Sequence, residues 1–185
     1  MKKSRFSILA ECAIMIALGT GLSMIKIFEL PWGGSITLIS MLPVCLLAIR
    51  YGVFWGLGAA YVYAVLQLLL SVATVMGWGL STSVLIACLL LDYILAYTVL
   101  GFAGMFRKHG KVGIITGVSL AMGLRLLCHI ISGVVLFAVC CPEGWSPLFY
   151  SIVYNGAYMV PETIITVLVL VFLASLPQTK RILFR

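Results

Sequence analysis

Residues 88–97 read CLLLDYILAY, one aspartate inside a run of leucine, isoleucine, alanine, cysteine and tyrosine. A carboxylate near the centre of a bilayer costs about 2.5–3.5 kcal/mol even on insertion scales, the most lenient ones. Asp92 therefore requires a partner. Where that partner comes from decides what the surrounding helices are for.

The rest of the chain has the same apolar character. Its 185 residues are 63% hydrophobic and 9% charged, with a mean hydropathy of +1.21. Soluble domains carry about 25% charged residues, so this is an integral membrane protein. One span takes about 20 apolar residues. The predicted fold is all-α: a six-transmembrane-helix bundle forming one domain over 1–185, with spans near 6–28, 36–50, 53–75, 83–106, 112–140 and 147–176. Breakers fall between the spans, as LPWGG at 30–34, MGWG at 76–79, RKHGK at 107–111 and CCPEGWSP at 140–147. The first apolar run is too long for a signal-peptide core and no small-residue cleavage site closes it, so it reads as the first helix. The six cysteines lack metal-ligand or CxxC spacing. They read as packing residues, and no metal or cofactor is expected.

Charge sets the orientation. Lys2, Lys3, Arg5, Arg50, Arg107, Lys108, Lys111, Lys180, Arg181 and Arg185 fall at the termini and at the second and fourth turns, all on one side of six spans. By the positive-inside rule both termini are cytoplasmic. The net charge of +7 is thus a matter of topology, and its scatter excludes a nucleic-acid stripe.

Depth follows from the rise of 1.5 Å per residue. Asp92 lies ~14 Å below the outer end of helix four, His129 ~16 Å below that of helix five, and Asn155 ~12 Å into helix six. Gln67 on helix three sits at similar depth. Four helices thus send polar groups to one layer in the outer half of the membrane. Tyr150, Tyr154 and Tyr158 stripe the helix of Asn155. Aromatic walls with a few polar groups are a pocket composition; the plain alternative is polar side chains joining neighbouring helices. No lysine or arginine shares the layer of Asp92, which points to a cationic or amidine-like ligand from outside. Arg125 and Glu162 are expected in a second layer, ~22 Å deep, as a structural ion pair rather than a proton relay. Ala13, Ala17 and Gly21 put small residues on one face of helix one, a surface for close helix approach.

Several functions lack their residues. No GxxxxGK[ST] motif is present, and no HExxH. The serine of GLST at 79–82 has no histidine on helix six to activate it. No inverted repeat marks a self-sufficient carrier, although a small proton-coupled carrier using Asp92, His129 and the Arg125–Glu162 layer remains the rival from another class. What is left is a non-enzymatic binding pocket without an engine.

The chain resembles the thiamine-specific substrate-binding subunits (S components) of energy-coupling factor vitamin transporters. The resemblance runs through all six helices, in PWGGSITLISMLP at 31–43, AIRYG at 48–52, LLLDYILAYTVLGFAGMF at 89–106, LRLLCHIISG at 124–133 and YSIVYNGAYMVP at 150–161. It implies a bacterial cytoplasmic-membrane protein that captures thiamine outside. A separate transmembrane T component and two cytoplasmic ATPases then drive uptake. It also implies that Ala13 and Ala17 of an AxxxA face dock the T component, and that Asp92, His129, Tyr150 and Asn155 contact the vitamin. Phe137 meets a family aromatic outward of the histidine. The chain departs where some relatives carry tryptophan and glutamate on the first turns of helix two, here Gly34 and Leu38. Trp32 is then the replacement for the aromatic wall, and another vitamin or a thiamine precursor is the alternative ligand.

Overall fold

The computed structural model describes residues 4–179. Lys2, Lys3, Lys180, Arg181 and Arg185, which carry half of the orientation expectation, lie outside the described residues. Helix α1, Arg5–Ser23, leads into a small antiparallel hairpin, β1 Lys26–Glu29 and β2 Ser35–Thr37. A tight turn at Pro31–Gly33 joins the two strands. Then follow α2 Leu42–Tyr51, α3 Val53–Met76, α4 Thr82–Gly104, α5 Gly110–Val135 and α6 Pro147–Ser175. Start signals are ordinary chemistry. The Ser4 and Ser146 hydroxyls accept from Ser7 N and Phe149 N, each at 3.2 Å, and Pro147 opens α6 where its missing N–H costs nothing.

Among the described residues, five helices are long and apolar enough to cross a membrane. Their outer faces carry exposed Phe6, Phe54, Leu69, Val112, Leu168 and Phe172, the apolar exterior that lipid requires.

The second expected span is corrected. No helix runs over 36–50; α2 has 10 residues, ~15 Å of rise, about half the hydrocarbon thickness. Pro43 explains the late start, since proline fits the first turn of a helix and breaks an interior one. The β-branched Ile36 and Thr37 ahead of it favour extended backbone. Gly34 and Leu38 consequently belong to the hairpin region and not to the first turns of a helix. The first span also ends earlier than expected, at Ser23. The fifth ends at Val135, leaving Phe137 beyond it.

Short as it is, α2 is the hub of the core. Leu42, Pro43, Val44, Cys45, Leu47, Ala48 and Ile49 are all buried, against Tyr63 of α3, Leu100 and Ala103 of α4, and Ile114, Val118 and Met122 of α5. Close approach is made by glycine. A Cβ on Gly104 would collide with the Ala48 carbonyl, and one on Gly101 with the Leu57 backbone. By contrast α1 is loosely held. It buries Cys12, Ile16 and Gly19, and Glu11 ties it to Arg50 and, at 2.6 Å, to the Tyr51 hydroxyl. Ala13, Ala17 and Gly21 face outward and are exposed, so that small-residue face is not used inside the bundle.

The glycine contacts give a direct test. Gly101→Ala is expected to destabilise by about 1–3 kcal/mol through overpacking against backbone. Gly58→Ala, with nothing within 4 Å of the added carbon, is expected to be neutral or stabilising by up to about 1 kcal/mol. Thermal unfolding in detergent distinguishes the two.

Candidate functional site

A cavity opens between the hairpin and helices α3, α4, α5 and α6. Its volume is about 160 Å³, where one water needs ~10–15 Å³. A small organic molecule fits, not a lone solvent molecule. Gln67, Asp92, His129 and Asn155 all line it.

Asp92 is not alone. His129 Nδ1 lies 2.9 Å from its Oδ1, the Ser132 hydroxyl donates to its Oδ2, and the Cys88 thiol stands 3.4 Å away. Within the protein, α5 supplies two donors to it, three residues apart and so on one face of the helix. A carboxylate only accepts, so Nδ1 carries the proton. That leaves His129 Nε2 buried and without a hydrogen-bond partner among the described residues. The two side chains are 12% and 14% exposed, which keeps their electrostatics strong.

The opposite wall is aromatic. Tyr150, Tyr154 and Tyr158 follow one face of α6, with ring centroids 5.9 Å and 6.1 Å apart. Asn155 locks this wall to α5. Its Nδ2 donates to His129 O at 3.2 Å and Ser151 O at 2.9 Å, and its Oδ1 accepts from Tyr158 at 2.9 Å. The hairpin lies over these tyrosines, and Tyr154 donates to the Pro31 carbonyl. Gly34 makes this possible, because a Cβ there would sit 2.8 Å from the Tyr158 ring. Trp78 and Phe137 meet edge to face at 6.0 Å on another side.

Arg125 also lines this cavity. Its guanidinium stacks 4.3 Å from the Tyr97 ring centroid and donates to Met41 Sδ at 2.7 Å. Glu162 Oε2 is 3.9 Å from its Nη1, while Glu162 Oε1 accepts from Thr37 of β2 at 2.5 Å. Arg125 and Glu162 thus compensate each other and tether the hairpin.

The structure brings Asp92, His129, Tyr150, Asn155 and Phe137 to this one cavity; the Trp32 side chain lies outside the described residues. Gln67 lines the cavity while its Nε2 donates to Ser23 of α1 at 2.9 Å. Reasoning from sequence missed Ser132, although its spacing from His129 was the available signal. It also missed Tyr97 and Trp78, which look like any aromatic in an apolar run. No cluster of metal-ligating side chains occurs among the described residues.

Comparisons with known proteins agree with this architecture. The model of the thiamine transporter protein family (Thia_YuaJ) matches residues 9–181. The thiamine transporter ThiT of Bacillus subtilis is 33% identical over 179 residues, covering 89% of this chain and 88% of that protein. ThiT of Lacticaseibacillus paracasei is 26% identical over 190 residues, covering 92% and 89%. A solved structure of ThiT from Listeria monocytogenes superposes with a TM-score of 0.72 at 27% identity, over 98% of this chain and 99% of that one. With its apolar spans and this match along nearly its whole length, the chain is a multi-pass cell-membrane protein that belongs to the thiamine transporter family.

Proposed function

We propose that the chain is the substrate-capturing S subunit of an energy-coupling factor importer and that thiamine binds in the cavity described above, in the outer half of the membrane. The observation that carries this reading is the Asp92–His129–Ser132 cluster facing the tyrosines of α6 across an open cavity. Thiamine has a thiazolium cation, which aromatic faces attract, and an aminopyrimidine rich in donors and acceptors. The negative charge of Asp92 favours the cation. His129 Nε2 offers the unpaired position for the pyrimidine edge. Asn155 retains one lone pair on Oδ1, and Tyr150 and Phe137 form the outer aromatic boundary. Some family members carry a tryptophan and a glutamate where this chain has Gly34 and Leu38; here Tyr154, Tyr158 and Trp78 serve as that wall of the cavity.

In this reading the protein forms a single domain and binds without catalysing. Energy comes from a T component and two ATPase subunits, consistent with the lack of a nucleotide-binding motif. The outward Ala13 and Ala17 are the docking face for the T component, since small residues let a partner helix approach closely. Both termini are cytoplasmic. That requires α2 and the segment before it to complete one crossing together, and irregular backbone is tolerated at that depth where it lines a cavity, as Ser35 and Thr37 do. The second reading, a proton-coupled carrier, draws on Asp92, His129 and the Arg125–Glu162 pair; thiamine uptake by this chain alone into liposomes with a pH gradient would favour it.

Titration with thiamine in detergent, followed by tryptophan fluorescence, tests the ligand. Saturable binding is expected, weakened about 10- to 100-fold in Asp92→Asn, the range for a hydrogen bond to a charged group. An unchanged affinity in Asp92→Asn would remove that residue from the site, and competition by other vitamins or by the hydroxymethylpyrimidine precursor would reassign the ligand. The double variant Ala13→Trp, Ala17→Trp is expected to bind thiamine normally and to lose uptake in cells that supply the T component and ATPases. Retained uptake would rule out this face as the docking surface.

A further inference from the structure

Helix α4 is not wound uniformly. Residues Leu89–Leu95 form a wide π-helical turn, and Val99–Gly104 form a tight 3-10 segment. We propose that the wide turn is the ligand-positioning element of the site: it brings Cys88, Asp92, Tyr93 and Tyr97 onto one cavity wall, so that the carboxylate and both tyrosines act on the same bound molecule. This rests on the proposed binding site and concerns how that site is built.

Two faces of α4 carry the inference independently. Cys88, Asp92, Tyr93 and Tyr97 all line the cavity. At ~100° per residue, the α-helical value, Tyr97 would lie ~180° round the helix from Cys88, pointing away. On the other face Ile86, Leu90 and Leu95 are 53%, 56% and 48% exposed. By the same α-helical arithmetic Leu95 would again lie ~180° from Ile86. Both faces therefore spend nine residues on two turns, roughly one extra residue per turn, which is the i→i+5 winding of a π-turn. The bundle does not impose this spacing everywhere. Along α6 the buried positions Ser151, Asn155, Tyr158, Glu162 and Thr166 keep ordinary three- and four-residue steps.

Such a turn is rare and concentrates at functional sites. The tight segment that follows has a packing purpose of its own. With three residues per turn Gly101 and Gly104 eclipse, and together they receive the backbones of α3 and α2. The inner half of α4 is wound for packing and the outer half for the cavity. Without the extra residue, Asp92 and Tyr97 could not both face the ligand, and Tyr97 would leave the Arg125 guanidinium it covers.

Leu90 lies on the exposed face, so removing it takes out the extra residue without touching a cavity group. Thiamine affinity is compared for the full chain, for Leu90→Ala and for a chain lacking Leu90. The substitution is expected to stay within about threefold, and the deletion to weaken binding by about 10- to 100-fold or more while still unfolding cooperatively. A deletion that binds like the full chain would overturn the proposal. Should the deletion fail to fold, a second measurement decides. In a chain with its six cysteines replaced by alanine, Leu90→Cys, Tyr93→Cys, Leu95→Cys and Tyr97→Cys are each exposed to a charged, membrane-impermeant maleimide without ligand. Reaction at 93 and 97 but not at 90 and 95 supports the wide turn; reaction at only one of 93 and 97 overturns it. That labelling pattern in a chain that does not bind thiamine would refute the vitamin and leave the wide turn standing.

Discussion

A carboxylate held among apolar helices organises this molecule. Asp92 can remain there only if donors surround it, and α5 provides two of them from successive turns, His129 at 2.9 Å and Ser132. Satisfying Asp92 fixes the register of α4 against α5. It also fixes which nitrogen of His129 is engaged, and so which one is left over. Asn155 then bridges from the His129 carbonyl to the Tyr158 hydroxyl, and α6 is set by the same chain of contacts. Three helices are indexed to one another by one charge, and the space between them is the cavity.

The remaining elements serve that space. The short α2 and its glycine-mediated contacts with α3 and α4 pack one end of the bundle closely, and the cavity opens at the other. The hairpin closes over it, tethered through Thr37 to Glu162 and through Glu162 to Arg125. Two buried charges of opposite sign, each costly alone, are tolerable together because they share one another's field and additional donors. Helix α1 stands apart, packed through Cys12, Ile16 and Gly19 and presenting its small residues outward.

Much of this was legible in the residues. Hydropathy and the breakers between apolar runs located the long helices, with the ends of the first and fifth five residues too late. Simple depth bookkeeping grouped Gln67, Asp92, His129 and Asn155, which do line one cavity. What was not legible has physical causes. An extended hairpin rich in apolar residues has the hydropathy of a helix, and only Pro43 and the β-branched Ile36 and Thr37 argued otherwise. Depth was counted along straight α-helices, so the wide turn at Leu89–Leu95 and the reach of Arg125 into the cavity escaped it. Long side chains extend several ångströms from their Cα, and a rise per residue says nothing of where they end.

The most direct measurement is a structure of the protein with thiamine bound. The expected result is the vitamin in the cavity, with a pyrimidine atom within about 3.2 Å of His129 Nε2 and the thiazolium against the tyrosines of α6. Thiamine bound elsewhere, or within the cavity with His129 Nε2 still unpaired, would contradict the role assigned here to the Asp92–His129 pair.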